Sequence, residues 1–476
     1  MKTQSCFVTT TRPNTMASRF RAACAARLLP LLLLLALPAV VQAQFTYVTN
    51  NGAITITKYT GSGGDVTIPS TTNGLPVTSI GTDAFFGSSI TSVAIPNSIT
   101  NIGMRAFCYC DTLTSVRIPS SVITIGISAF SGCSMLANLV ISNGVSTIKI
   151  YAFSGTSLTS VTIPSSVTNI GDHVFSECFL LTAITVDSLN AAYSSLGGVL
   201  YNQDQTMLIE YPPGKVGGFK VPSSVTNIAN NGFYGCVDLT SVMISDGVAS
   251  IGTSAFYACI SLTNVTIPGS ITNIGNSAFS SCSKLPRVTI PASVTRIESG
   301  VFSGCTNLSS VTISNGITTI GDSAFSSCSK LSSITIPESV TNIGASVFLS
   351  CSNMTMIYFR GNAPNLGTNV FNGDNKATVY YLPGTTGWVS PFGGRPAVLW
   401  NPQFQVSNAS CGVRTNRFGF NITGTTNIPI VLEACTNLAN PTWVPLQSCN
   451  LTNGLLYFSD PNWTNYPGRF YRIHSP

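Results

Sequence analysis

The sequence predicts a mainly β protein: a solenoid of stacked coils sharing a parallel sheet, followed by a small antiparallel β domain. Phenylalanine recurs at 85, 107, 130, 153 and 175 and again at 233, 256, 279, 302, 325, 348 and 371, at steps of 22 or 23 residues apart from one gap. A fixed period of that length marks a repeat architecture, in which one unit cannot bury its own apolar face and stacking does so. Charged residues make up only 8% of the chain while Gly (41) and Pro (26) are common, which suits many short strands and turns better than long amphipathic helices. Beyond residue 400 the period stops and short alternating segments take over.

The unit reads LxxVxIPxxVxxIGxxAFxxC, as in Leu262, Val265, Ile267, Pro268, Ile271, Ile274, Gly275, Ala278, Phe279 and Cys282. Alternation along a strand sends Val265 and Ile267 to the inner face and Thr266 to water. Pro268 cannot continue as an inner ladder donor and ends the strand, and Gly275 is expected to supply a turn before the Ala-Phe segment plugs the interior from the opposite side. Coils stacked at the strand spacing of roughly 4.8 Å would bury a continuous column of Val, Ile, Leu and Phe.

The gap between Phe175 and Phe233 holds text of another character, including Tyr193, Gly197, Gly198, Tyr201 and Tyr211. It is expected to be one elongated coil with an extra hairpin that re-enters the pattern at Val221 and Ile228, and the insertion, near 187–220, is either a natural binding ridge or a purely structural variant of the repeat. Residues 401–476 carry Phe418, Phe420, Trp443, Tyr457, Trp463, Tyr466, Phe470 and Tyr471. These aromatics are expected to form the core of a small β domain, because a domain of that size needs large side chains to bury enough area; carbohydrate binding or surface attachment is the alternative.

The unit resembles the short leucine-rich repeat of the BspA-like family of bacterial surface proteins. The opening Ile54 to Ile56 with Val66 to Pro69, the insertion VLYNQDQTMLIEYPPGK and the closing VYYLPGTTGW all look like pieces of that family. The resemblance covers roughly 44–400 and implies a leucine-rich-repeat solenoid with terminal caps. Members are generally implicated in adhesion to host or matrix proteins or to other cells, so it also implies binding, with an extracellular protein or glycan as the expected partner; an exported structural scaffold without a specific ligand is the alternative, and an exported hydrolase the third reading.

Residues 1–43 have the form of a secretory signal: basic residues without acidic ones, an apolar run through Leu37, and Val41-Gln42-Ala43 as a small-residue cleavage site. The run is shorter than the roughly 20 residues a bilayer helix needs, and no later segment looks transmembrane. Five of the 22 basic residues lie in this stretch, leaving 17 against 16 acidic ones. The remainder is close to neutral and has no basic stripe with interleaved aromatics, so nucleic acid is not an expected partner.

Nine cysteines follow a repeat Phe by three residues: Cys110, Cys133, Cys178, Cys236, Cys259, Cys282, Cys305, Cys328 and Cys351. A metal site would need clustered ligands with CxxC-like spacing and His partners. Recurrence once per coil instead makes a structural ladder of small buried thiols, behaving as modest hydrophobes and expected to be reduced, although exported proteins normally pair or avoid free thiols. Cys411, Cys435 and Cys449 lie outside it, an odd number that allows one disulfide and one free thiol.

Nothing in the sequence forms a catalytic set, and no cofactor or metal is expected. The two histidines, His173 and His474, sit at a variable repeat position and next to the end of the chain. The recurring GxS at Ser254, Ser277 and Ser323 precedes Ala-Phe, where a nucleophile elbow needs a second Gly. Acidic residues such as Asp322 and Glu338 are scattered over different coils and show no fixed pair. The exposed strand positions are richer: Thr162, Thr185, Thr266, Thr289, Thr312 and Thr335 predict a flat hydroxyl array that could meet an ordered surface such as glycan or ice, or simply reflect strand propensity. Arg117, Lys220, Met243 and Tyr358 interrupt it. The candidate ligand-binding residues are therefore Arg117, Lys220 and Tyr358 on this face, with Tyr193, Tyr201 and Tyr211 in the insertion.

Overall fold

The computed structural model describes residues 44–406, 411–415 and 417–475, so the expected signal segment lies outside the described residues. Each coil makes three passes. In the coil of Phe279 these are the strand Asn264–Thr266, the short strand Asn273–Ile274 and a turn through Phe279. The first two passes pair in parallel with their counterparts one coil back, Val242 with Val265 and Ile251 with Ile274.

The third pass is also a ladder. Ser277 and Ser281 lie in the left-handed region, at φ 55° and 62°, which costs a non-glycine residue roughly 1–2 kcal/mol. Alternation between left- and right-handed residues turns every second N–H along the solenoid axis. Accordingly Ser277, Phe279 and Ser281 donate to the carbonyls of Ser299, Val301 and Ser303 in the next coil at 2.9, 2.9 and 2.7 Å. Gly275 answers a different need from the expected turn: its φ is not left-handed, and a Cβ there would lie 2.5 Å from the Thr253 amide nitrogen. The coils approach too closely at this rank for a side chain.

Behind the turn the phenylalanine rings stack face to face, Phe256 on Phe279 at 4.9 Å and 3°, Phe348 on Phe371 at 5.8 Å and 6°. The column is closed at its start by the hairpin of Phe45–Asn50 and Ala53–Tyr59, whose Tyr59 ring lies 5.1 Å from Phe85. Truncating one fully buried Phe would cost about 3–5 kcal/mol.

All nine ladder cysteines are buried and unpaired. Each thiol donates to the carbonyl of the Phe-rank residue one coil back. Cys110, the first of the rank, reaches Phe85 at 3.1 Å, and Cys133 reaches Phe107 at 3.0 Å. Farther along, Cys236 reaches Tyr211 at 3.6 Å, Cys282 reaches Phe256 at 3.1 Å and Cys328 reaches Phe302 at 3.3 Å. Most of these carbonyls also accept a second donor from their own coil, a backbone N–H at Phe85 (from Ser88) and Phe302 (from Cys305) and the Thr156 hydroxyl at Phe153. The structure adds to the reading of these thiols as modest hydrophobes: they lie in the apolar cores, and each, Cys110 and Cys328 included, is also a small donor to a carbonyl one coil back.

Burial pushes the thiols of Cys259, Cys282 and Cys305 well up, which suppresses the thiolate. Nor is the rank sulfur throughout. Thr156 puts a hydroxyl 3.0 Å from the Phe153 carbonyl between Cys133 and Cys178, and the rank ends on Asp374, whose carboxyl burial pushes up to about 7. Cys411, Cys435 and Cys449 are likewise unpaired, so the disulfide that their number allows is not formed in this structure.

The interior is divided at the insertion. One core runs from Phe45 to Ile184 and another from Val199 to Phe392, and the strand Val199–Asn202 is the wall between them: Leu200 packs into the first, Val199 and Tyr201 into the second. Beyond residue 400 two antiparallel sheets enclose a third core of Phe420, Ile422, Ile430, Leu432 and Phe458. That core extends onto the solenoid through Tyr358 and Tyr380. The only helical element among the described residues is one 3-10 turn, Trp463–Asn465.

Gly275→Ala is expected to lower the stability of the solenoid by about 1–3 kcal/mol. Gly269→Ala, at a glycine with nothing within 4 Å of the added atom, is expected to stay within about 0.5 kcal/mol; equal losses in denaturant titrations would contradict the close-approach account. A thiol reagent added to the native chain from residue 44 onward is expected to label the partly exposed Cys411 and Cys449 rapidly. The nine ladder thiols should react only after denaturation.

Candidate functional site

The long strands stack in register, so like side chains form rows on the solvent face. Thr162 lies opposite Thr185 with their hydroxyls 2.9 Å apart, and Thr289 lies opposite Thr312. Arg117 stands beside Val140 and Lys220 beside Met243, both cations exposed and without an ion pair among the described residues. Arg117 overhangs a groove of about 640 Å³ shared with Asn97, Ser120 and Asn143.

Tyr358 does not belong to this surface. It is 5% exposed, stacked on Tyr380 at 5.1 Å and covered by the C-terminal sheets, so the expectation that it meets ligand is corrected. Tyr201 and Tyr211 are corrected likewise, each 1% exposed. The period explains Tyr211: a step of 22 residues back from Phe233 lands on it. Its ring sits 5.0 Å from that of Phe233, and its N–H donates to the Gly232 carbonyl at 2.7 Å, as a repeat Phe would. The pattern therefore resumes at Leu208, which pairs with Ile228, earlier than Val221. Reading the rank as aromatic rather than as Phe alone would have found it.

The insertion itself is an antiparallel meander of Tyr193–Leu196, Val199–Asn202 and Met207–Glu210. It removes the neighbour that the preceding coil needs. Two side chains take over: the Tyr193 hydroxyl accepts the Ile170 N–H at 2.9 Å, and Glu210 Oε1 accepts the Phe175 N–H at 3.3 Å. Tyr193 is therefore held at the joint, half-buried. A bulge at Ile209, between the pairs Leu200 with Glu210 and Tyr201 with Leu208, re-aims the Glu210 side chain.

Between Ile170 to His173 on one side and Met207 to Glu210 on the other opens a cleft of about 390 Å³, continued by Asn227, Asn231 and Asn273. Burial, followed by the nearby Asp172, raises the Glu210 carboxyl to about 8, against the opposing pull of the Phe175 N–H. Burial lowers His173, which is stacked on Tyr151 at 4.9 Å and met edge-on by Tyr234 at 4.6 Å. His474 is elsewhere, 3.1 Å from Glu433 in the C-terminal sheets.

The repeated serines have scaffold positions: Ser254, Ser277 and Ser323 are left-handed turn residues, at φ 54°, 55° and 54°. Asp322 accepts the Ala345 N–H at 2.7 Å. Among the described residues no cluster of three or more His, Cys, Asp or Glu side chains is placed to hold a metal, and no helix is long and apolar enough to cross a membrane.

Comparison with known proteins agrees with this geometry. No curated protein matches the chain. Among solved structures, a leucine-rich repeat protein from Eubacterium ventriosum is 26% identical, with a TM-score of 0.57 and coverage of 74% of this chain and 96% of that one. A leucine rich cell surface protein from Faecalibacterium prausnitzii is 30% identical over 67% of this chain and 94% of its own, with a TM-score of 0.48. The pneumococcal vaccine antigen PcpA shares the fold at 21% identity and a TM-score of 0.53, covering 72% of this chain and 92% of its own. The BspA type leucine rich repeat region matches in six copies across 59–186, 215–302 and 283–386. With coils of that kind over most of its length, the chain belongs to the BspA-type leucine-rich-repeat family.

Proposed function

We propose that this is an exported or cell-surface binding protein, without catalytic activity, that contacts an extracellular protein or glycan through the face of its long strands. The observation that carries this reading is the face itself. Within each set of paired strands its outward side chains stand in register, many of them hydroxyls such as Thr162 on Thr185 and Thr289 on Thr312. The insertion interrupts the row between Val186 and Gly217, while the C-terminal sheets cover only its far end at Tyr358 and Tyr380. A rigid, flat array of donors and acceptors suits a partner recognised over an extended area, with the unpaired Arg117 and Lys220 as charged contact points. The signal-like segment 1–43 and the surface proteins of the family support export.

The chain from residue 44 onward, immobilised against matrix proteins and glycans, is expected to bind at least one of them saturably. Replacing Thr266, Thr289 and Thr312 together by Glu, on the solvent side of their strands, is expected to weaken that binding roughly tenfold or more through desolvation and repulsion. Absence of any saturable partner would overturn the binding reading, and turnover of a glycoside, ester or peptide panel would overturn the non-catalytic part.

A further inference from the structure

The cleft beside the insertion differs from the flat stacking elsewhere, and its chemistry is specific. Its carboxyl has no counterpart in an ordinary coil, and only one of its oxygens is taken up by the acceptor role at the joint. The residue before the Phe-rank aromatic is Ala106, Ala129, Ala255, Ala278 or Ala324 in ordinary coils, and Glu210 takes that place next to Tyr211. The amide side chains of Asn231 and Asn273 line the same space and make no hydrogen bond within the described protein. Ile170, Met207 and Ile209 give it an apolar wall, and Met207 is 38% exposed. At about 390 Å³ the cleft falls within the roughly 300–1,000 Å³ usual for small-ligand sites.

We infer that this cleft recognises one hydroxyl-rich unit of a neutral glycan, with Glu210, Asn231 and Asn273 addressing its hydroxyls and the Ile170, Met207 and Ile209 wall its apolar face. The inference rests on the binding reading above and names the ligand class of a second contact point. Charge excludes the competing classes. Glu210, raised to about 8, is mostly protonated at neutral pH, so it is a poor partner for a cation or ammonium group. Asp172 would repel an acidic sugar or phosphate. The other charged or titratable neighbours are Cys178, whose thiol burial pushes up to about 11 so that it stays neutral, His173, neutral because burial lowers it, and Glu177 beyond it. Protonated Glu210 can accept the Phe175 N–H through Oε1 and donate through its other oxygen. Amides, which both donate and accept, match hydroxyls that do the same.

The test uses the chain from residue 44 onward and a panel of neutral mono- and disaccharides, namely glucose, galactose, mannose, N-acetylglucosamine and their dimers. Glucuronate and N-acetyl-lysine methyl ester serve as charged probes, and binding is read by saturation-transfer NMR and calorimetry. At least one neutral sugar is expected to bind saturably. Glu210→Ala, which restores the residue common at this rank, should weaken it roughly tenfold, and Glu210→Gln should leave it within about threefold. Wild-type binding should fall as pH rises through about 8 while that of Glu210→Gln stays level. Binding of only the charged probes, no sugar binding, or sugar binding unchanged in Glu210→Ala would each overturn the inference. Matrix capture by the strand face, measured on the same variants, is expected to persist, so failure of the cleft is separable from failure of the binding reading.

Discussion

The structure depends on one constraint: each pass of each coil hands its backbone hydrogen bonds to the coils above and below. Parallel strands do this for two passes, and the third does it with alternating left- and right-handed residues, as at Ser277, Phe279 and Ser281. Because the ladder sets the coil separation, every rank must stack on its own kind. Glycine at the rank of Gly275 follows from the close approach of the preceding coil, whose Thr253 nitrogen would lie 2.5 Å from an added Cβ. The parallel phenylalanine rings follow from the same translation, as do the thiols, from Cys110 to Cys328 and Cys351, that each reach the carbonyl of the coil behind.

The same constraint explains the joint at the insertion. Breaking an axial ladder leaves donors without acceptors, and buried backbone donors cannot be left so. Tyr193 and Glu210 supply the acceptors, each at the end of a side chain rather than on the backbone. A carboxyl placed there for a structural duty comes to lie in a polar cleft, beside His173 and a row of asparagines. Structural repair and an accessible recessed site are consequences of one local event. The division of the interior into two cores by the strand Val199–Asn202 is another, since strand alternation sends Leu200 one way and Tyr201 the other.

The binding surface is what the constraint leaves over. Inward positions are consumed by packing, so variation between coils is confined to outward ones, where threonines dominate and Arg117 and Lys220 stand out. The C-terminal sheets do not float free of this face. They borrow Tyr358 and Tyr380 for their own core, which turns the last coils into a foundation and leaves the preceding ones open.

The sequence by itself determined the coil, its apolar ranks and the column of thiols, because a translational repeat makes neighbours in space of residues one period apart. Val265, Phe279 and Cys282 could be placed from spacing alone. What spacing could not show is that a thiol such as Cys110 or Cys328 is a hydrogen-bond donor, since that depends on which carbonyl of the coil behind keeps a free lone pair. It failed, too, where position depends on contacts outside the period. Tyr211 reads as an exposed aromatic of an insertion until its ring is seen on Phe233, and Tyr358 reads as a surface residue until a domain from beyond residue 400 covers it. Gly275 reads as a turn until the neighbouring backbone shows why a Cβ cannot fit. Above all, the meeting of Asp172, His173 and Glu210 in one cleft was decided only by the tertiary structure. A bulge at Ile209 and a missing coil neighbour bring them together, and neither leaves a periodic mark in the chain.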